Sequence, residues 1–134
     1  MRILIVEDDR CGSIMLEQIL SPYGSCTTCD DGRKAVAACT RAWEEGSPFD
    51  MICMDILMPN MDGNEALSQI RAQERARGID ESRRAKVIMI TALDDSQTIM
   101  DSFYKAGATT YVVKPITKRK ILEAVKWNRP EKAV

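Results

Sequence analysis

Histidine is missing altogether from this 134-residue chain. That removes the commonest zinc ligand and the side chain best suited to acid–base work near neutral pH. Excess charge is missing too. With 19 Lys and Arg against 20 Asp and Glu, the net charge is -1, so no overall field favours nucleic acid or an anionic membrane. The one basic-leaning stretch, Arg71 to Lys86, also holds Glu74, Asp80 and Glu81 and reads as a solvated helix end and loop. No apolar run approaches the ~20 residues of a membrane span. The first such run, Ile3 to Val6, is cut off at once by Glu7, Asp8 and Asp9, unlike a signal peptide. The cytoplasm is the expected location. Repeats and low-complexity stretches are absent as well. The five cysteines (Cys11, Cys26, Cys29, Cys39, Cys53) are an odd set. Cys26-Thr-Thr-Cys29 has no second pair to complete a zinc site. A strand position would not lower its thiol pKa as a helix N-terminus does, so the cysteines read mainly as small packing residues.

What is present suits one packed domain: 45% of residues are hydrophobic and 29% charged. Five short runs read as buried parallel strands: Ile3–Val6, Ser25–Cys29, Met51–Met54, Val87–Ile90 and Tyr111–Val113. Three of these are continuous apolar runs, the pattern of a sheet covered on both faces. Helical stripes lie between and after them: Cys11, Met15, Leu16, Ile19, Leu20; Ala35, Val36, Cys39, Trp43; Ala66, Leu67, Ile70; Ile99, Met100, Phe103, Tyr104; and Ile121, Leu122, Val125. Pro22, Gly24, Gly46, Pro48 and Gly107 punctuate the helix ends, while Asp62 and Thr117 stand at N-cap positions. Strict alternation of strand and helix predicts an α/β fold with a parallel sheet and right-handed crossovers. Residues 1–127 form the expected domain, and residues 128–134 a short polar tail.

In such a sheet, ligands bind outside the carboxyl ends of the strands. Those ends carry Glu7-Asp8-Asp9, Asp55, Thr91 and Lys114-Pro115. Singly, each has an ordinary explanation as a solvated charge, a strand threonine or a helix cap. Jointly, they bring several carboxylates to one edge, where they would repel unless a cation joined them. A hard divalent ion such as Mg2+, held by carboxylates and water, resolves that repulsion and leaves positions open for phosphate. A carboxylate can also act as a covalent nucleophile toward phosphorus. Lys114 and Thr91 then supply an ammonium and a hydroxyl for the transferring oxygens.

With those residues in place, the sequence resembles a response-regulator receiver domain of the two-component systems, from Arg2 to about Trp127. The carrying motifs are Ile3-Leu-Ile-Val-Glu-Asp-Asp9, Asp55-Ile-Leu-Met-Pro-Asn-Met-Asp-Gly63, Ile90-Thr-Ala92 and Tyr111-Val-Val-Lys-Pro115. The resemblance implies a flavodoxin-like doubly wound (βα)5 fold with strand order 2-1-3-4-5. It implies that Asp55 accepts a phosphoryl group from a sensor histidine kinase or phosphotransfer protein. Glu7, Asp8, Asp55 and the backbone carbonyl of Leu57 would hold Mg2+, and Thr91 and Lys114 would contact the phosphoryl group. Thr91 and Tyr111 would form the switch that reshapes a face for a downstream partner. The Lys114–Pro115 bond is expected to be cis. Leu57 and Leu93, two residues after Asp55 and Thr91, are apolar and offer no group to orient a hydrolytic water, which predicts a long-lived phosphorylated form.

Two other readings compete. An aspartate-nucleophile phosphohydrolase of the haloacid dehalogenase type needs an acid/base Asp where Leu57 stands. A phosphorylation-independent interaction module would not need the whole Glu7, Asp8, Asp55, Thr91 and Lys114 set. The expectation is therefore a stand-alone signalling domain rather than a turnover enzyme, without nucleic-acid or membrane partners, monomeric or dimerising on phosphorylation. The segment Arg75 to Ala85 is longer than a compact receiver needs and reads as a surface loop.

Overall fold

The computed structural model describes residues 1–92 and 96–128. Its five strands are β1 (Arg2–Val6), β2 (Ser25–Cys29), β3 (Met51–Asp55), β4 (Lys86–Thr91) and β5 (Thr110–Val113). Helices α1 (Arg10–Leu20), α2 (Gly32–Glu44), α3 (Gly63–Ala76), α4 (Ser96–Met100) and α5 (Lys118–Asn128) follow them in turn. All strand pairs are parallel, in the order β2-β1-β3-β4-β5. This is the flavodoxin-like order, with the reversal between β1 and β3 that opens a crevice at the carboxyl edge. The tail expected beyond Trp127 lies, apart from Asn128, outside the described residues.

Side chains alternate across the sheet and build two cores. Leu4, Val6, Ile52, Met54, Val87 and Met89 face one way, toward Ala35, Cys39, Ala66, Leu67 and Ile70 of α2 and α3. Ile3, Ile5, Met51, Cys53, Ile88, Ile90 and Val112 face the other, toward Leu16, Leu20, Ile121 and Val125 of α1 and α5. Each such large side chain contributes roughly 1.5–3 kcal/mol by leaving water. The whole spread of strand propensity is only about 1 kcal/mol, so two-sided burial decides that these runs are strands. Edge strands β2 and β5 are exceptions: Tyr111 is partly exposed on β5, and Thr27 and Thr28 are exposed on β2. Polar threonines there suit an edge that must not recruit another chain.

Helices α1, α2, α3 and α5 begin at side-chain caps. Asp9 accepts the N–H of Gly12 (2.9 Å), Asp31 that of Lys34 (2.8 Å), and Asp62 that of Glu65 (2.8 Å). Thr117 Oγ1 accepts the N–H of Lys120 at 3.2 Å. Each cap is worth about 1 kcal/mol. Two helical stripes differ from expectation. In α1 the buried positions are Leu16, Ile19 and Leu20, while Cys11 and Met15 are exposed. An i, i+3, i+4 stripe leaves those two on its flank. The fourth helix is α-helical for only five residues and continues from Asp101 to Ala106 as a wider π-helix. That winding breaks the 3.6-residue period, and Met100 is exposed. The side chains of Phe103 and Tyr104 lie outside the described residues.

The stretch from Arg71 to Lys86 is not simply a solvated end and loop. Arg71 and Glu74 are buried and paired, Nη1 to Oε1 at 2.7 Å. The other Glu74 oxygen accepts the N–H of Ala85 at 3.0 Å, and Arg71 Nε donates to the Gly107 carbonyl at 3.0 Å. One ion pair thus ties α3 to the start of β4 and to the turn before β5. Gly107 has φ +90°, and a Cβ there would stand 3.2 Å from Arg71 Cγ. Within the segment expected as loop, Arg75 and Ala76 complete α3, Glu81–Arg83 form a 3-10 turn, and Ala85 is buried.

Candidate functional site

Parallel register carries the strand ends to one edge: Asp55 lies opposite Ile90, and Thr91 opposite Val113, next to Lys114. Asp55 and Glu7 are each 2% exposed, Thr91 is buried and Asp8 is open to solvent. The Lys114 ammonium donates to Asp55 Oδ2 at 2.8 Å and lies 3.9 Å from Glu7 Oε1. The N–H of Leu57 donates to Asp55 Oδ1 at 3.2 Å. The Lys114 N–H donates to the Thr91 carbonyl at 2.7 Å, and the Lys114–Pro115 bond is cis.

The turn after Asp55 is held tightly. Gly63 N–H donates to the Ile56 carbonyl at 2.7 Å. A Cβ on Gly63 would overlap the Asp55 carbonyl oxygen and come within 2.9 Å of Ile56 Cα, so the chain closes here only around glycine. Asn60, at φ +70°, donates through Nδ2 to Asp31 Oδ2 at 3.3 Å. Asp31 therefore caps α2 and also steadies the loop that follows Asp55.

The pocket is electrostatically overloaded with acid. Burial pushes the Glu7 carboxyl up to about 7. The Asp9 N–H, 3.1 Å from Glu7 Oε2, acts against that rise, and the Asp55 charge adds to it. For Lys114, burial works to lower the pKa, but the bond to Asp55 and the charges of Asp55, Glu7 and Asp8 outweigh it and leave the pKa raised. Glu7, Asp8 and Asp55 each offer one oxygen, all within 4.8 Å of one another. A single ammonium does not balance three such carboxylates. An all-oxygen donor set of this size fits a hard divalent cation.

The structure brings together Glu7, Asp8, Asp55 and Lys114, with Thr91 at the same edge. Asp9, at the same strand end in sequence, turns away to cap α1. Leu57 contributes its N–H to Asp55 while the residue is 61% exposed. Leu93 lies outside the described residues. Tyr111 is partly exposed on the edge strand, opposite Met89, in a groove shared with Lys120 and Glu123 of α5. Sequence reasoning assigned no role to Asp31, Asn60 or Gly63. The last two sat inside a quoted motif without a stated part, and Asp31 carried the signal of an acidic residue just before a helical stripe.

Fold and pocket together define a doubly wound α/β domain with an acidic, lysine-bearing site at its switch edge. The chain belongs to the response regulator receiver domain family, whose sequence profile matches residues 3–126. It is 33% identical over 127 residues to the chemotaxis protein CheY of Listeria monocytogenes, covering 93% of this chain and 95% of that one. Among solved structures, it superposes on a CheX-CheY-BeF3-Mg2+ complex from Borrelia burgdorferi with a TM-score of 0.79 at 32% identity, covering 95% of this chain and 87% of that one. The receiver domain of the Arabidopsis thaliana histidine kinase CKI1, complexed with Mg2+ and BeF3-, gives a TM-score of 0.76 at 29% identity over 93% of this chain and 89% of that one. No helix among the described residues is long and apolar enough to cross a membrane.

Proposed function

We propose that the protein is the phosphoacceptor of a two-component relay, taking a phosphoryl group onto Asp55 from the phosphohistidine of a sensor kinase or phosphotransfer protein. One observation carries this reading: a buried Asp55 carboxylate bonded to Lys114 at 2.8 Å, with oxygens of Glu7 and Asp8 within 4.8 Å. Glu7, Asp8, Asp55 and the Leu57 carbonyl would hold Mg2+, which supplies positive charge to the transferring oxygens when bound. A carboxylate oxygen of Asp55 attacks phosphorus, the bond to the donor nitrogen breaks, and that nitrogen keeps the electron pair. Lys114 orients the acceptor and neutralises charge on the phosphoryl oxygens, and the Thr91 hydroxyl binds one of them. The phosphoryl group adds about two negative charges, drawing Thr91 inward and giving Tyr111 room to follow. The β5–α5 face then changes for a downstream partner. Asp55 holds its product rather than turning it over, so the protein is not an enzyme in the ordinary sense. Incubation with a small phosphodonor and Mg2+ should add one phosphoryl group by intact mass, and none with a chelator. Uptake that ignores Mg2+ would sink this reading.

Two further results are expected. The exposed apolar side chain of Leu57 cannot orient a water for attack on the acyl phosphate. The phosphorylated protein, purified and held in Mg2+, should therefore persist well beyond seconds, and Leu57→Asn should shorten its lifetime severalfold. Equal lifetimes would remove Leu57 from the account.

The second concerns pH. Glu7 must shed its proton to bind a metal, and that proton is held up to about 7 against an ordinary value of 4.5. The metal-free folded protein binds this proton more tightly than the unfolded chain does. The resulting stabilisation is full below 4.5 and is lost as pH rises through about 7. Mg2+ competes with the proton, so its affinity should rise with pH across that window. The rise in Tm on adding Mg2+ should be larger at about pH 8 than at about pH 6. An equal rise at both would contradict the assignment of Glu7 as a ligand.

A further inference from the structure

The segment from Arg75 to Ala85 plays no part in the acceptor chemistry, yet it builds one wall of a groove at the opposite edge of the sheet. The groove encloses about 530 Å³. It is lined by Arg71, Arg75, Arg84, Lys86 and Lys105, with Glu81 the one carboxylate among its lining residues. On a chain whose net charge is -1, that is a strong local concentration of positive charge.

These cations differ in how they are held. Arg71, only 9% exposed, is fixed by Glu74 and the Gly107 carbonyl and forms a rigid part of the floor. Arg84 Nε donates to the Ile79 carbonyl at 3.0 Å, which sets its guanidinium in place. Lys105 lies 3.5 Å from Asp101 with its side chain 75% exposed, a weak pairing. Arg75 and Lys86 take part in no ion pair among the described residues.

We propose that this groove binds a small oligophosphate, a ligand carrying two or more linked phosphate groups. The volume suits a small molecule. Guanidinium forks favour phosphate oxygens, and lysine ammonium groups add mobile point charges around them. Several cations spread along the groove match a chain of phosphates better than a single anion. No aromatic side chain lines it among the described residues, and none of those offers a platform on which a base could stack. Recognition therefore falls on the phosphates, whether free or carried as the tail of a larger molecule.

The test is isothermal titration of the full chain with inorganic tripolyphosphate in chelator, which keeps Mg2+ out of the acceptor pocket. Saturable binding at one site is expected, weakening as salt is raised. The double variant Arg75→Gln/Lys86→Gln should bind at least about tenfold more weakly. Its Tm without ligand, and its Mg2+-dependent gain of a phosphoryl group, should match wild type. Lys114→Ala should bind tripolyphosphate as wild type does. Adenosine triphosphate binding on a par with tripolyphosphate would support the phosphate tail as the recognised part. Three results would overturn the proposal: no saturation by millimolar ligand, equal affinity in the double variant, or loss of binding in Lys114→Ala. Tighter binding of a short RNA or an acidic peptide than of tripolyphosphate would overturn the ligand class.

Discussion

Asp55→Asn is expected to leave a folded protein that gains no phosphoryl group from a small phosphodonor in Mg2+, while wild type gains one. The substitution hardly changes shape. The amide oxygen can still accept from Lys114 or from the Leu57 N–H, the two donors that hold the carboxylate now. What disappears is the anionic oxygen that would attack phosphorus on the proposed reading, together with one charge of the acidic trio. Less mutual repulsion should, if anything, steady the metal-free fold. Loss of uptake should therefore come without loss of Tm. Intact mass and a thermal melt on the same preparation measure both. A phosphoryl group on the variant would move the acceptor elsewhere, with Asp8 the first suspect as the open carboxylate of the cluster. A partner bound equally well by Asp55→Asn and by phosphorylated wild type would favour the interaction-module reading instead.

Glu74→Ala is expected to cost about 3–5 kcal/mol, because it leaves the Arg71 charge buried without its partner. That is a large share of the roughly 5–15 kcal/mol that holds a typical domain together. Glu74 is 1% exposed and holds both the Arg71 guanidinium and the Ala85 N–H. Its removal therefore orphans a cation and a backbone donor together. Replacing the pair by apolar residues, Arg71→Met with Glu74→Leu, should recover much of the loss, since a buried pair carries its own desolvation cost. Urea midpoints at constant m-value give the comparison. A loss below about 1 kcal/mol for Glu74→Ala would mean that water reaches Arg71 and that the pair behaves like a surface bridge.

How far the sequence reveals this protein depends on the range of each interaction. Strands β1, β3 and β4 are legible because both of their faces are buried, which writes itself as an unbroken apolar run. β2 was legible from its place between two helical stripes, although its exposed threonines give it no such run. The candidate site is legible because a parallel sheet sends every strand's carboxyl end to one edge; locating Asp55, Thr91 and Lys114 needs only the strand ends. The Arg71 network is different. Its partners stand 3, 11 and 36 residues apart, and nothing local distinguishes a buried arginine on a polar helix from a solvated one. The Asp31–Asn60 bond, across 29 residues, hides for the same reason. The π-helical stretch from Asp101 to Ala106 alters the periodicity on which a stripe is read.

The depth of Asp55 has a consequence for who can speak to it. With Asp55 and Glu7 each 2% exposed, the carboxylate proposed as acceptor lies below the surface that another protein would touch. Two flat surfaces pressed together would leave a gap between phosphorus and carboxylate. If Asp55 takes its phosphoryl group from a macromolecular donor as proposed, that donor would have to carry it on a side chain that projects far enough to cross the depth, whereas a small donor would diffuse in unaided. On the proposed reading the pocket would work as a length gauge, sorting visitors by how far they extend before any chemistry begins.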